Sequence, residues 1–257
     1  MKKRVISAII AFAIFIPLVI IGGIYLKIAA CILGVLGMKE FLELPHKNKR
    51  PMYIDVIFYA FTILLIFIDS KRQVYYLLAG LIPALAVIYC NDNKKYNADE
   101  AFKLICMCLL VGTFFHKLLV IREVSILKFV YLFLITMLTD TYAHMAGTLV
   151  GEHKLAPKIS PNKTWEGAIV GGIFGTLCAS TFYYIFIDGN VNVLALLIIT
   201  LFLSTLGQLG DLFFSAIKRN HDIKDFSNIM PGHGGVLDRL DSIIFVVIGY
   251  IILSGII

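Results

Sequence analysis

Asp238 and Asp241 stand three residues apart in VLDRLDS, and Pro231 to Gly235, just before that stretch, read PGHGG. Two carboxylates at this spacing share one face of a helix. As hard oxygen donors they suit a magnesium ion, which keeps several waters and shares a substrate's phosphates. Capping of a helix start would also place an acid here, although a cap needs only one. Arg239 points to a different part of the helix and can grip a phosphate with two parallel hydrogen bonds. The proline and three glycines favour an irregular turn whose backbone N–H groups can approach an anion closely. His233, inside that turn, could position a phosphate, move a proton or brace the turn by hydrogen bonds.

Upstream, Asp211, Ser215 and Lys218 fall at i, i+4 and i+7, one stripe of a helix leaving the membrane. They could line a polar cleft, or Asp211 and Lys218 could merely neutralise a helix end. Lys218-Arg219 and Lys224-Asp225 follow; basic pairs beside a membrane serve lipid contact or orientation as readily as phosphate binding. A second polar stretch, LAPKISPNKTWEG from Leu155 to Gly167, offers Lys158, Ser160, Lys163 and Thr164 as donors to phosphate oxygens. Pro157 and Pro161 restrict it, and Pro161 keeps Ser160 extended. Trp165, the single tryptophan, reads first as an interfacial anchor. Asp140, in LTDTYAH, is an acid inside an apolar run, a position that points to function. Carboxylates for a divalent cation beside basic groups for phosphates equip a site for phosphoryl or nucleotidyl transfer. Neither a Walker A pattern nor a Rossmann glycine fingerprint is present. A transporter is the rival class, but the charges cluster on one side and no pair of broken helices repeats in the two halves.

The elements that must hold these residues are membrane helices. Hydrophobic residues make up 59% of the 257 and charged residues 16%, and the mean hydropathy is +0.88, outside the range of soluble globular chains. Apolar runs of about 20 residues fall near 5–26, 28–44, 52–69, 74–90, 101–121, 126–149, 167–187, 191–214 and 239–257. The expected fold is an all-α, polytopic integral membrane bundle of about nine transmembrane helices with a cytoplasmic-facing polar cleft. Residues 1–125 would form scaffold helices with lipid- or oligomer-contact surface. Residues 126–257 would carry the catalytic loops, the whole being one continuous membrane domain. The basic start and first apolar run imitate a signal peptide, but the run is too long and lacks a small-residue cleavage site.

With the N-terminus inside, only Lys27, Lys71, Arg72, Lys117, Arg122 and Lys128 of the 23 basic residues fall outside, as the positive-inside rule requires. Both long polar loops are then cytoplasmic. With no targeting segment evident, a bacterial cytoplasmic membrane is the expected location. The five cysteines lie in or beside apolar runs and read as reduced, structural thiols. Gly167, Gly171 and Gly175 recur every four residues, either as ordinary glycine enrichment or as a ridge for close helix packing or a homodimer contact.

The run SAIKRNHDIKDFSNIMPGHGGVLDRLDS, Ser215 to Ser242, closely resembles the signature of the phosphatidate cytidylyltransferase (CDP-diacylglycerol synthase) family. Its Ser, Lys-Arg, Lys-Asp, Pro-Gly-His-Gly-Gly and Asp-Arg-x-Asp elements are all present at matching spacing. QLGD at 208–211 and SPNKTWEG at 160–167 also resemble family motifs. Around Asp140 the chain departs from the family pattern, with His144 at the aromatic position and Thr148 at the basic one. The resemblance implies that CTP and phosphatidate give CDP-diacylglycerol and pyrophosphate. It implies that Asp211, Asp238 and Asp241, with Asp140, hold magnesium or another divalent cation, with room for a second cation. Lys218, Arg219, Lys224 and Arg239 would then hold the triphosphate and the lipid phosphate, Lys224 being counted with Asp211, Asp238 and Asp241 as catalytic. Ser160, Lys163, Ser215 and His233 would complete the substrate site. Membrane lipids are expected partners and nucleic acid is not. A CTP-dependent transferase acting on an ether-isoprenoid phosphatidate or a polyprenol would carry similar motifs.

Overall fold

The computed structural model describes residues 13–45, 51–67, 80, 98–229, 232 and 234–253, and these are mostly helical. Residues 13–21 are helical, and the chain then breaks at Gly22 and Gly23, with φ of 67° and 55°. Glycine enters that left-handed region at no steric cost. The break therefore falls at this pair, whereas the apolar pattern placed it near Lys27. Helices α1 (Gly23–Leu42), α2 (Met52–Phe67) and α3 (Ala98–Val124) follow. The span expected at 74–90 lies outside the described residues. Beyond α3 come α4 (Ile126–Val150), α5 (Trp165–Phe186), α6 (Val193–Asn220) and α7 (Leu237–Leu253). Among the described residues, four helices are long and apolar enough to cross a membrane: Asp99–Val124, Ile126–Val150, Trp165–Phe186 and Val193–Asn220. Met52–Phe67 is a shorter apolar helix.

Between α4 and α5 the chain makes a two-stranded antiparallel hairpin, β1 (Lys154–Ala156) and β2 (Ser160–Thr164), where the sequence reads as loop. Lys154 pairs with Thr164 and Ala156 with Ser160. The Ile159 N–H donates to the Ala156 carbonyl at 3.1 Å, closing a turn with Pro157 at its second position, where proline's fixed φ is favoured. Pro161 is tolerated in β2 because a two-stranded hairpin has only edge strands. Thr164 then ends the strand and starts α5, its hydroxyl accepting from the Gly167 N–H at 3.2 Å.

The chain divides into two compact units. One comprises the chain up to Leu119 together with Phe226–Leu237. The other comprises Val120–Asp225 together with the chain from Asp238 onward. In the first, Thr62 donates to the Phe58 carbonyl at 2.8 Å and lies 3.2 Å from the Cys108 thiol, linking α2 to α3. In the second, hydroxyl pairs tie α4 to α6: Tyr131 with Thr200 at 2.6 Å, and Thr139 with Ser204 at 2.7 Å. Such pairs replace the hydrophobic drive that lipid cannot supply between helices.

The glycine ridge of α5 lies against α4. A Cβ on Gly167 would come 2.6 Å from the Ala143 carbonyl, and one on Gly171 would come 2.6 Å from the Ala143 Cβ. One on Gly175 would come 2.5 Å from the Thr139 hydroxyl. The ridge serves close packing within the chain. Cys31, Cys106, Cys108 and Cys178 are free thiols.

Candidate active site

Helix α6 has 28 residues, which at 1.5 Å per residue is about 42 Å, longer than the ~30 Å hydrocarbon core. Its final turns carry Ser215, Lys218 and Arg219. Asp211 and Ser215 are joined on that stripe, the hydroxyl donating to Asp211 Oδ1 at 3.2 Å. Lys218 and Arg219 also lie in the last turn of α6, where cations complement the helix dipole.

Five elements of the second unit, α4, β1, β2, α5 and α6, line a cavity of about 630 Å³. Asp140, His144 and Thr148 face it from α4, Asn162 and Lys163 from β2, Gly167 and Ala168 from α5, and Gln208 and Asp211 from α6. The hairpin's register brings Lys163 to α6, where its ammonium meets Asp211 Oδ2 at 2.6 Å, each side chain about a quarter exposed. Gln208 donates to the Ala168 carbonyl at 3.2 Å and ties α6 to α5 at the cavity wall. Asp140, Asp211 and Asp241 lie near enough to repel one another, while Lys163 and Lys218 oppose that repulsion.

Lys218 and Asp238 form a second ion pair at 2.7 Å, with side chains only 9% and 4% exposed. Asp241 Oδ1 accepts from the Ser242 N–H at 2.8 Å. Arg219 donates to the Ile159 carbonyl at 3.2 Å and the Ile223 carbonyl at 2.8 Å, fastening the hairpin tip to the end of α6. Lys224 and Arg239 are exposed, and Ser160 opens β2 with its neighbour Ile159 bound to Arg219. Of the residues singled out from sequence, Asp140, Lys163 and Asp211 line the cavity, Ser215 donates to Asp211, and Lys218 and Asp238 bind each other. Ser160, Ser215, Lys218, Arg219, Lys224, Asp238, Arg239 and Asp241 are not among the cavity-lining residues. His233 lies outside the described residues. Trp165 is exposed at the start of α5.

Among the described residues, no three His, Cys, Asp or Glu side chains form a cluster able to hold a metal ion. Magnesium does not need such a cage, because it is commonly held by one or two carboxylates with waters and substrate phosphates completing the shell. Asp140 and Asp211, both lining the cavity, are the carboxylates that could serve as such donors.

The cytidylyltransferase family model matches residues 2–257. The chain belongs to this family. It is 38% identical over 253 residues, 96% of each sequence, to proteins named phosphatidate cytidylyltransferase in Staphylococcus haemolyticus (strain JCSC1435) and Staphylococcus aureus (strain COL). The same identity and coverage hold for the protein of that name in Staphylococcus saprophyticus.

This member of the cytidylyltransferase family also buries an acid the sequence reading passed over. Glu40, near the end of α1, is 1% exposed. Its carboxylate accepts from the Ser227 hydroxyl at 2.7 Å and from the N–H groups of Val236 at 2.7 Å and Leu237 at 2.9 Å. The signal was an acid closing an apolar run. It was masked by Lys39 and Glu43, whose i,i+4 ion pair makes the stretch read as an ordinary solvated helix end.

Proposed function

We propose that the chain is a membrane-bound CTP:phosphatidate cytidylyltransferase, forming CDP-diacylglycerol and pyrophosphate. The observation that carries this reading, beside family membership, is the cavity where Lys163, Asp211 and Asp140 meet. It offers both an anion-binding cation and carboxylates suited to a divalent metal, the pairing a triphosphate requires. A phosphatidate phosphate oxygen attacks the α-phosphorus of CTP. The new P–O bond forms as the bond to the β-phosphate bridging oxygen breaks, and pyrophosphate departs with that electron pair. The nucleophile is already anionic near neutral pH, so no strong general base is required. The main task is to hold two anions together.

Lys163 and Lys218 are poised for phosphate oxygens, each paired with an aspartate. Arg219, Lys224 and Arg239 add positive charge, with Ser160, Ser215 and His233 as further polar contacts. Asp140 and Asp211 would hold magnesium, which when bound neutralises phosphate charge, while Asp238 holds Lys218 and Asp241 adds negative charge nearby. The catalytic loops and the N-terminus face the cytoplasm in this reading, in a multi-pass topology within a bacterial cytoplasmic membrane. A homodimer would have to use helix faces other than the glycine ridge, which α4 already covers.

The test is incubation of the purified protein in detergent with labelled CTP, magnesium and a panel of lipids. Label in CDP-diacylglycerol with phosphatidate supports the reading. Label only with an ether-isoprenoid phosphatidate or a polyprenol reassigns the lipid, and no lipid product with any acceptor rejects it.

A further inference from the structure

A buried carboxylate is costly unless its oxygens are satisfied, and Glu40 is satisfied entirely by neutral donors. Oε1 takes Ser227 and the Val236 amide, and Oε2 takes the Leu237 amide. Hydrogen bonds to an ionised acceptor are the stronger kind. The turn is shaped to admit this side chain: a Cβ on Gly235 would come 2.5 Å from Glu40 Oε1. One turn earlier on the same face of α1, a Cβ on Gly37 would come 3.2 Å from Leu237 Cδ2. A small residue thus admits the Leu237 side chain while an acid grips its amide, so Leu237 is held at two points.

Helix starts are normally capped by a residue within a few positions. At the start of α7 the acceptor comes from 196 and 197 residues away, and Asp238 is left to bind Lys218 at 2.7 Å. We propose that Glu40 is a positioning residue for the transfer reaction, fixing the backbone at Val236 and Leu237 and, through the next peptide bond, the placement of Asp238. This rests on the reading of Asp238 as part of the transferase site. Glutamine cannot substitute, because all three partners donate and its NH₂ would face one of them.

The experiment compares the full-length wild type with Glu40→Gln, Glu40→Asp, Gly235→Ala and, as control, Glu43→Gln, an exposed residue on the same helix end. Two readouts are taken in detergent: steady-state kinetics per folded molecule, and hydrogen exchange of the peptide spanning 232–242. Glu40→Gln is expected to speed exchange at Val236 and Leu237 and to lower kcat about tenfold or more, the usual cost of losing an outer-shell support, with KM for phosphatidate little changed. If the glutamine variant does not fold, Glu40→Asp, which keeps the charge but withdraws it by one methylene, carries the same expectation in weaker form. Gly235→Ala should behave as Glu40→Gln does, and Glu43→Gln as wild type. Unchanged exchange in the Glu40 variants overturns the proposal, as does a lowered melting temperature with wild-type kcat per folded molecule. A wild type inactive toward phosphatidate would instead sink the functional reading, and the exchange comparison would still decide whether Glu40 orders the turn.

Discussion

Lys218 and Asp238 are held together almost out of reach of water, so their pair responds differently to single and double substitution. Removing one partner leaves a buried charge uncompensated, at a cost of about 3–5 kcal/mol, whereas replacing both with apolar residues is often neutral. Lys218→Met alone should therefore lower the melting temperature in detergent markedly, and Lys218→Met with Asp238→Leu should restore much of it. If both side chains serve the proposed transfer site, neither variant should be active; recovered activity in the double variant would make the pair structural. Asp211→Asn should fold, both members of its pair with Lys163 being partly exposed, yet lose roughly 10²-fold or more in kcat/KM, comparable with removal of a preorganised electrostatic group. Asp211 and Lys218 were legible from sequence because a stripe at i, i+4 and i+7 is a local pattern, and Asp140 because an acid in an apolar run is conspicuous. Glu40 was not, since its meaning depends on amides 196 and 197 residues away.

Asp140 reaches the cavity from α4, and its position depends on how closely α5 approaches. A side chain at Gly171 would collide with Ala143 and the Thr139 carbonyl, whereas a Cβ at Gly172 meets only ordinary contacts at 3.6 Å or more. Gly171→Val should therefore destabilise the protein by about 1–3 kcal/mol, the range for overpacking, and reduce activity by shifting α4. Gly172→Ala should be tolerated. Thermal unfolding and the transfer assay on the two variants check this; equal behaviour would show that the ridge does not set the spacing. The close-packing role was readable from the four-residue glycine period, but its partner helix was not, because small-residue ridges carry no address. The hairpin was hidden for a different reason: KLA and SPNKT show no clear alternation, and two prolines argue against strands. Its order comes instead from contacts outside itself, with Arg219 on the Ile159 carbonyl and Glu166 accepting from the Glu152 and His153 amides.

For the whole molecule, the distribution of basic residues predicts a sidedness that a labelling experiment can test. In a cysteine-free background, Lys158→Cys on the hairpin and Asp222→Cys after α6 should react with an impermeant maleimide only once the inner face is opened. Asn190→Cys, between α5 and α6, should react from outside in intact cells. The reverse pattern would invert the orientation. In the proposed reaction the CMP unit of CTP passes to a lipid phosphate at the cavity of Asp140, Lys163 and Asp211. The most direct measurement follows phosphorus: the purified wild type and Asp211→Asn are given phosphatidate, magnesium and CTP labelled at either the α- or the γ-phosphate. Wild type should move only the α-label into chloroform-soluble lipid and release the γ-label as pyrophosphate, and Asp211→Asn should do neither. γ-label in the lipid, or undiminished transfer by Asp211→Asn, would contradict that reaction at that cavity.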